Sequence, residues 1–365
     1  MSQHKPAVGV SEAVTLLFIT LSAQIFLTQS VFIYHAGMNA AWIIALVLTF
    51  IGLSGVLLLV FLLNRFPGRD LVQVGEELAG PYINIFFALF YLAMFVVSAG
   101  FILRGIGERM VAGFLIDTPI SLITLTFIVG TVVVSYLGLE AVARTAKFLA
   151  GILVVTGLTL VALTIPLWSF STLYPLWGSG LLQLLRGALE NSGNYVQILL
   201  LGIIYPFLPG DKGKKVGVWG VGIAGFTMFL YVLTPILVFT YPTVTELTLP
   251  SFELARIINI GRFGQRMEVV FLPLWVFGNM IYLSASLYAG AVVLARLCRL
   301  DDYRPFVLSM AVFVTVTAFI PQNAPQAAYW FYEYISRYSF GMLIGIMLLL
   351  LLIAALKSRG GDRGA

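Results

Sequence analysis

The sequence predicts an all-α polytopic membrane protein of ten transmembrane helices, built as two five-span halves with helices 1 and 6 broken. Three observations predict it. The 365-residue chain is 60% hydrophobic and only 10% charged, with a mean hydropathy of +1.00. Soluble domains carry about 25% charged residues, so so few charges cannot coat a water-facing surface, whereas lipid requires none. Ten apolar runs follow one another along the chain, and two of them carry clusters of polar residues at corresponding positions of the two halves.

A spanning helix needs about 20 predominantly apolar residues. The runs 11–35, 40–64, 82–103, 119–137, 148–168, 181–208, 216–240, 267–297, 304–320 and 338–357 meet that requirement. The first is read as a retained span. Its apolar stretch, Val14 to Tyr34, exceeds a signal-peptide core of about 7–15 residues, and only His4 and Lys5 precede it as a basic region. The second ends at RFPGRDL (65–71) and the sixth at YPFLPGDKGKK (205–215), both ordinary membrane exits rich in Pro, Gly and basic residues. RGIGERMVAGFLIDT (104–118) reads as an interfacial connector. PSFELARIINIGR (250–262) reads as a short helix lying on or dipping into the outer face. No low-complexity linker or soluble segment intervenes, so residues 1–365 are expected to form a single integral membrane domain.

Lys and Arg orient the chain. With the N-terminus inside, 14 of the 21 basic residues fall in inner loops and tails, among them Arg65, Arg69, Arg144, Lys147, Lys212, Lys214, Lys215, Arg296 and Arg299. An even span count puts both termini on that same side, predicted cytoplasmic. The net charge of +5 reflects this bias and contact with anionic lipid rather than nucleic acid.

Several chemistries are closed off. Cys298 is the only cysteine, so no internal disulfide and no thiolate cluster can form. His4 and His35 are the only histidines, and neither sits in a zinc-protease or serine–histidine pattern. The expectation is a protein that is not an enzyme and carries no cofactor or metal.

The sixth run holds the sharpest local question. In GALENSGNYVQILLLG (187–202), five poor helix formers, Glu190, Asn191, Ser192, Gly193 and Asn194, stand between oily stretches. A span starting at Tyr195 and ending at Leu208 would reach only about 21 Å, short against a core of about 30 Å. Starting at Leu181 supplies the length but places ENSGN inside the span. It is then either an unwound joint between half-helices or a tight loop before a short tilted span. Non-helical backbone at that depth is tolerated only where protein or a water-lined cavity satisfies it. If the two halves correspond, span 6 matches span 1, which carries Ser22, Gln24, Thr28, Gln29 and Ser30 in LSAQIFLTQS. Paired interruptions of this kind mark a transporter-type site near the midplane, where half-helix ends expose N–H and C=O groups to a ligand. Ser and Thr also serve as plain interhelical hydrogen bonders.

Candidate ligand-binding residues are therefore Ser22, Gln24 and Thr28 on span 1, and Asn191, Ser192, Asn194 and Tyr195 at the break. Span 8 adds Asn279, Tyr282 and Ser286, which share one helical face with Glu268 and Trp275 at spacings of 7, 4, 3 and 4. Tyr91 and Ser98, with Phe95 between them, form a weaker stripe on span 3. Glu190 and Glu268 are candidate ion- or proton-coupling groups, because an ionisable group deep in a span is costly and is a functional candidate by default. Arg186, four residues before Glu190, offers the alternative of a purely structural pair.

RFPGRDLVQVGEELAG (65–80), GLEAVAR (138–144), PSFELARIINIGRFGQRMEVVFLPLWVFG (250–278) and LDDYRPFVLS (300–309), in this order and spacing, resemble the permease-like B subunit of GerA-type spore nutrient germinant receptors. That family is similar in turn to the amino acid–polyamine–organocation transporter superfamily, with its five-plus-five inverted repeat. The resemblance implies a nutrient-binding membrane subunit of the spore inner membrane, its termini on the spore-core side. Its implied partners are a germinant receptor A subunit and a lipoprotein C subunit, with a small nutrient, often an amino acid, held between spans 1, 3, 6, 8 and 10. A proton- or sodium-coupled amino acid transporter is the alternative expectation. Superfamily transporters commonly have a glycine-rich break in span 1. Here no glycine lies between Gly9 and Gly37, which turns attention from bare backbone to side chains such as Gln24 and Thr28.

Overall fold

Long apolar runs must satisfy their backbone groups internally, and helices do so segment by segment. The structure is a computed structural model that describes residues 8–23, 30–258 and 268–361. Among these every regular element is helical. In chain order they are α1 (Val10–Ala23), α2 (Ser30–Gly37), α3 (Ala41–Leu63), α4 (Leu71–Gly113), α5 (Ile120–Leu137) and α6 (Leu139–Thr164). Then come α7 (Leu181–Glu190), α8 (Leu199–Ile204), α9 (Gly213–Phe239), α10 (Thr243–Glu246) and α11 (Pro250–Ile257). The last are α12 (Glu268–Leu297), α13 (Arg304–Phe319), α14 (Ala324–Trp330) and α15 (Ser339–Gly361). Seven helical stretches are long and apolar enough to cross a membrane, namely Ser30–Leu63, Leu71–Gly113, Ile120–Leu137, Leu139–Leu167, Gly210–Phe239, Trp275–Leu297 and Ala324–Lys357. The helices α1 and α13 are apolar but shorter.

Elements five apart in span order meet in pairs. The helix α3 packs on α9, α4 on α12, α5 on α13, and α1 on the stretch that follows α7. This is the packing that an internal repeat related by a pseudo-two-fold axis produces. The shared core runs through α1, α3, α4, α9 and α12, where Leu17, Leu48, Leu59, Phe95 and Val232 are all buried.

Local chemistry explains the joints. Asp70 caps α4 by accepting from Gln73 N at 2.9 Å, while Gln73 Oε1 accepts from Asp70 N at 3.0 Å, a reciprocal capping box. Ten residues on, Gly80 adopts φ 81° and ψ 167° just before Pro81. Pro81 cannot donate a backbone N–H and would clash with the preceding turn, so the first turns of α4 are set off from the rest. Gly138 (φ 102°) separates α5 from α6 in the same way.

Three sequence expectations need correction. The segment 104–118 is not an interfacial connector over most of its length, because α4 continues to Gly113. Arg104 Nε pairs with Glu108 Oε1 at 2.7 Å, and Arg104 Nη2 donates to the Gln322 carbonyl, so charges that suggested an interfacial connector are held within the protein. All of GLEAVAR after Gly138 is already helical, and α6 begins at Leu139 rather than near 148. The last span starts earlier than 338: α14 leads through a π-helical turn, Phe331–Ser336, into α15. Of the stretch 250–262, α11 covers Pro250–Ile257, and residues from 259 lie outside the described ones.

Ionic and polar ties hold the two ends of the bundle. On the face where α1 begins and α15 ends, Arg296 Nε bonds Asp70 Oδ2 at 2.9 Å, Arg299 meets Glu76 at 2.9 Å, Lys147 meets Glu12 at 3.4 Å, and Lys357 donates to the Glu77 carbonyl at 3.0 Å. Burial pushes the Asp70 carboxyl above its ordinary range, against the pull of the Gln73 amide and of Arg296. On the opposite face, Asn39 donates to the carbonyls of Thr172 and Tyr174, each at 2.7 Å, and Ser179 donates to that of Ala36 at 2.7 Å.

Candidate functional site

The ENSGN stretch is neither an open loop nor a regular helix. The helix α7 stops at Glu190, and a 3-10 stretch, Ser192–Ile198, carries the chain to α8. All seven residues of that stretch are buried. Asn191 closes α7, since both its backbone N (3.1 Å) and its Nδ2 (2.8 Å) donate to the Gly187 carbonyl. Gly193 is required by close approach: a Cβ there would lie 2.5 Å from Ser336 Cα and O and 2.7 Å from Ser339 Oγ. The break is thus seated on the point where the π-helical turn hands over to α15. Single π-turns inside helices recur at functional sites.

Polar groups around this joint are buried with unusual freedom. Among the described residues, neither side-chain atom of Asn194 has a hydrogen-bond partner, nor do the hydroxyls of Ser336 and Ser339; the same holds for Tyr91 and Ser98 on α4. A buried polar group without a partner costs about 1–3 kcal/mol, so a cluster of them marks a place where a ligand can repay the cost. Tyr282 joins α12 to the break, its hydroxyl accepting from Gln197 Nε2. Ser192 and Ser286 are buried nearby on the 3-10 stretch and on α12.

Two predicted residues meet in one cavity. Ser22 and Asn279 line a space of about 120 Å³ between α1, α6, α9 and α12, together with Phe18, Val161, Tyr231 and Trp275. Asn279 Nδ2 is spent on the Trp275 carbonyl at 2.7 Å, whereas Asn279 Oδ1 and Ser22 Oγ have no partner among the described residues. Apolar walls with a few unsatisfied polar atoms are the usual form of a small-molecule site. For scale, an apolar cavity of about 150 Å³ accepts benzene.

Other predicted residues serve elsewhere. Tyr195 lays its ring against Gly52 of α3 and brings its hydroxyl to 3.5 Å from Thr49, so it packs the break onto α3 and lines neither described cavity. Glu190 forms the pair with Arg186 (3.0 Å) that the sequence offered as an alternative; it also accepts from Tyr332 (3.1 Å) and lies 3.7 Å from Arg337. Tyr332 in turn stacks on Phe32 of α2, with ring centroids 4.3 Å apart and planes within 2°. Gln24, Thr28 and the Glu268 side chain lie outside the described residues.

Sequence reasoning missed Gln197, Ser336 and Ser339. The last two stand three apart on one side of the final span, a signal hidden because that span was read as beginning at 338, which left Ser336 outside it. Among the described residues no group of three or more His, Cys, Asp or Glu could hold a metal ion.

Residues 8–327 match the family of spore germination proteins, Spore_permease. Spore germination protein A2 of Bacillus subtilis is 27% identical over 326 residues, 87% of each chain. Spore germination protein KB of Bacillus subtilis is 25% identical over 258 residues, 69% of each. Among solved structures, a substrate-bound, outward-open Na+-coupled sialic acid symporter superposes with a TM-score of 0.65 at 12% identity, covering 95% of this chain and 80% of that one. The nucleobase-cation-symport-1 transporter MHP1, bound to bromovinylhydantoin, gives 0.63 at 14% identity, covering 95% and 78%. At such identities the structural likeness speaks for the fold alone.

Proposed function

The chain belongs to the spore germination permease family, and from that premise we propose that it is the ligand-binding membrane subunit of a nutrient germinant receptor. It is a multi-pass, non-enzymatic membrane protein on a transporter-like fold. In this reading a small nutrient, an amino acid in the first instance, enters the cavity of Ser22 and Asn279. The bound molecule is sensed at the break through Asn191, Ser192, Asn194 and Tyr282, with Tyr91 and Ser98 of α4 and Ser286 of α12 as further buried polar groups outside the cavity's lining. Gln24 and Thr28 extend the set along the first span. The carrying observation is the pair of unpartnered atoms, Ser22 Oγ and Asn279 Oδ1, in an otherwise apolar space.

The finer architecture belongs to the same proposal. Ten crossings in a five-plus-five inverted repeat follow if α1 with α2, the broken α7 with α8, and α13 are added to the long spans. The basic face then lies toward the spore core, with both termini, in the spore inner membrane. An A subunit and a lipoprotein C subunit are the partners to which occupancy is passed. Passing it on requires that the nutrient bind one conformation better than another.

The test is the melting temperature of the purified protein against a panel of amino acids, sugars and nucleosides, since a ligand of the folded state raises it. One compound is expected to give a shift, and Asn279→Ala is expected to weaken its binding about tenfold, the worth of one buried hydrogen bond. A shift that survives both Asn279→Ala and Ser22→Ala would remove the cavity from the mechanism.

A second reading, a proton- or sodium-coupled amino acid transporter, draws support from the symporters that share the fold. It assigns the coupling to Glu190 and Glu268. Uptake of the same compound into proteoliposomes that hold this chain alone would favour it over the receptor.

A further inference from the structure

A second cavity, of about 410 Å³, opens at the face opposite the chain's ends, between α2, the end of α4, the α10 region and α14. Its walls include Val31, Phe32 and Ala328, and three charged residues, Glu108, Arg109 and Glu246, line the same space. Arg109 Nη1 is buried and has no hydrogen-bond partner among the described residues. Its neighbour Glu108 supplies a nearby negative charge but no hydrogen bond to Nη1; Glu108 Oε1 accepts from Arg104 Nε at 2.7 Å and Oε2 from Ala324 N at 2.6 Å. Glu246 is exposed to the cavity and makes no ion pair with Arg109 or any other described residue.

A buried guanidinium N–H without an acceptor is costly, and a carboxylate is its best match through paired N–H donors. An unpaired carboxylate on the same wall calls for an ammonium. We infer that this cavity is a binding site for a zwitterionic amino acid, its carboxylate on Arg109, its ammonium on Glu246 and its side chain against Val31, Phe32 and Ala328. The site is separate from the Ser22–Asn279 cavity and does not require that one to be occupied. It is nonetheless connected to the break. Phe32, in the cavity wall, stacks on Tyr332, and the Tyr332 hydroxyl donates to Glu190, the last residue of α7. A molecule that presses on Phe32 therefore reaches the end of α7 through two side chains.

The experiment uses the full chain in phosphatidylcholine nanodiscs, with L-alanine and L-leucine as probes and propionate and L-alaninamide as singly charged controls. At least one amino acid is expected to raise the melting temperature by about 2 °C at saturating concentration, with smaller shifts from either control. In a Ser22→Ala/Asn279→Ala background, which silences the central cavity, the shift that remains is expected to be abolished by Arg109→Gln and by Glu246→Gln and retained in part by Arg109→Lys. Variants whose unliganded melting temperature matches that of the parent chain exclude misfolding as the cause.

In that background, a shift that survives Arg109→Gln, or the absence of any shift where the parent chain gives one, overturns the site and leaves the central cavity standing. Equal shifts from propionate and L-alanine overturn the zwitterion assignment. Stabilisation by phosphatidylethanolamine, dependent on Arg109 and not increased by any amino acid, assigns the charges to a lipid headgroup and overturns it too. No shift with any probe does the same.

Discussion

Replacing Arg296 by Met is expected to destabilise the protein by about 3 kcal/mol, because it strands a buried carboxylate. The Asp70 side chain is 0% exposed and Arg296 Nε reaches its Oδ2 at 2.9 Å. Burial already holds the Asp70 carboxyl above its ordinary value, with Arg296 among the groups that oppose the shift. Without the arginine the carboxyl rises further and prefers its neutral form. A carboxyl whose folded value is raised contributes stability that is fully present below the unfolded value of 3.8 and lost as pH rises through the folded one. The gap between variant and parent should therefore be small near pH 4 and widen toward neutrality.

The double variant Asp70→Asn with Arg296→Met supplies the check. Asn is as good a helix cap as Asp and brings no charge, so most of the loss should return. Thermal melts of the four chains across pH measure the coupling directly. If the double variant melts as low as Arg296→Met, the arginine acts through the packing of its stem and the ionic account is wrong. The functional interest is positional. This pair ties the start of α4, which carries Tyr91 and Ser98, to the end of α12, which carries Asn279 and Tyr282.

Much of this layout was legible in the residues because lipid leaves so few choices. Apolar runs of about 20 residues must become helices, and α3, α5 and α9 fall close to the predicted spans. The interruption ENSGN was legible for the same reason, since five polar or flexible residues in an oily run need a structural account. Charges misled where the protein itself neutralises them. Arg104, Glu108 and Arg109 led 104–118 to be read as an interfacial connector, yet Arg104 is tied to Glu108 and to the Gln322 carbonyl, and the helix runs on.

The π-helical turn was invisible because its aromatic and polar mixture, FYEYIS, carries no clear periodicity. Side-chain direction at the break was also beyond reach. A 3-10 stretch turns about 120° per residue rather than 100°, and that difference contributes to sending Tyr195 onto Gly52 instead of toward Asn279. The pairing of Arg109 with Glu246 in one cavity joins residues on α4 and α10, and nothing in either local sequence announces the other.

Gly193→Ala should be the most damaging single methyl group that can be added to the break. The new Cβ would lie 2.5 Å from both Cα and O of Ser336, and backbone atoms cannot rotate away as a side chain can. Either the 3-10 stretch lifts off the π-helical turn or the turn itself moves, at an expected cost of about 2–3 kcal/mol. Gly222→Ala is the matched control. It lies in α9 with no heavy atom within 4 Å of its Cβ position, so it should be neutral or gain up to about 1 kcal/mol from helix propensity.

The consequence for ligand response separates two roles for the break. If the joint only shortens the path of a span, Gly193→Ala lowers the melting temperature and leaves any ligand shift intact. If the joint is the element that occupancy biases, moving it off Ser336 changes the balance between conformations, and the shift shrinks or disappears along with the stability. A Gly193→Ala protein that melts like the parent chain would show that the contact with Ser336 is not maintained in the membrane. The unpartnered hydroxyls of Ser336 and Ser339 would then lose their claim to the site, because it rests on their lying directly under Gly193.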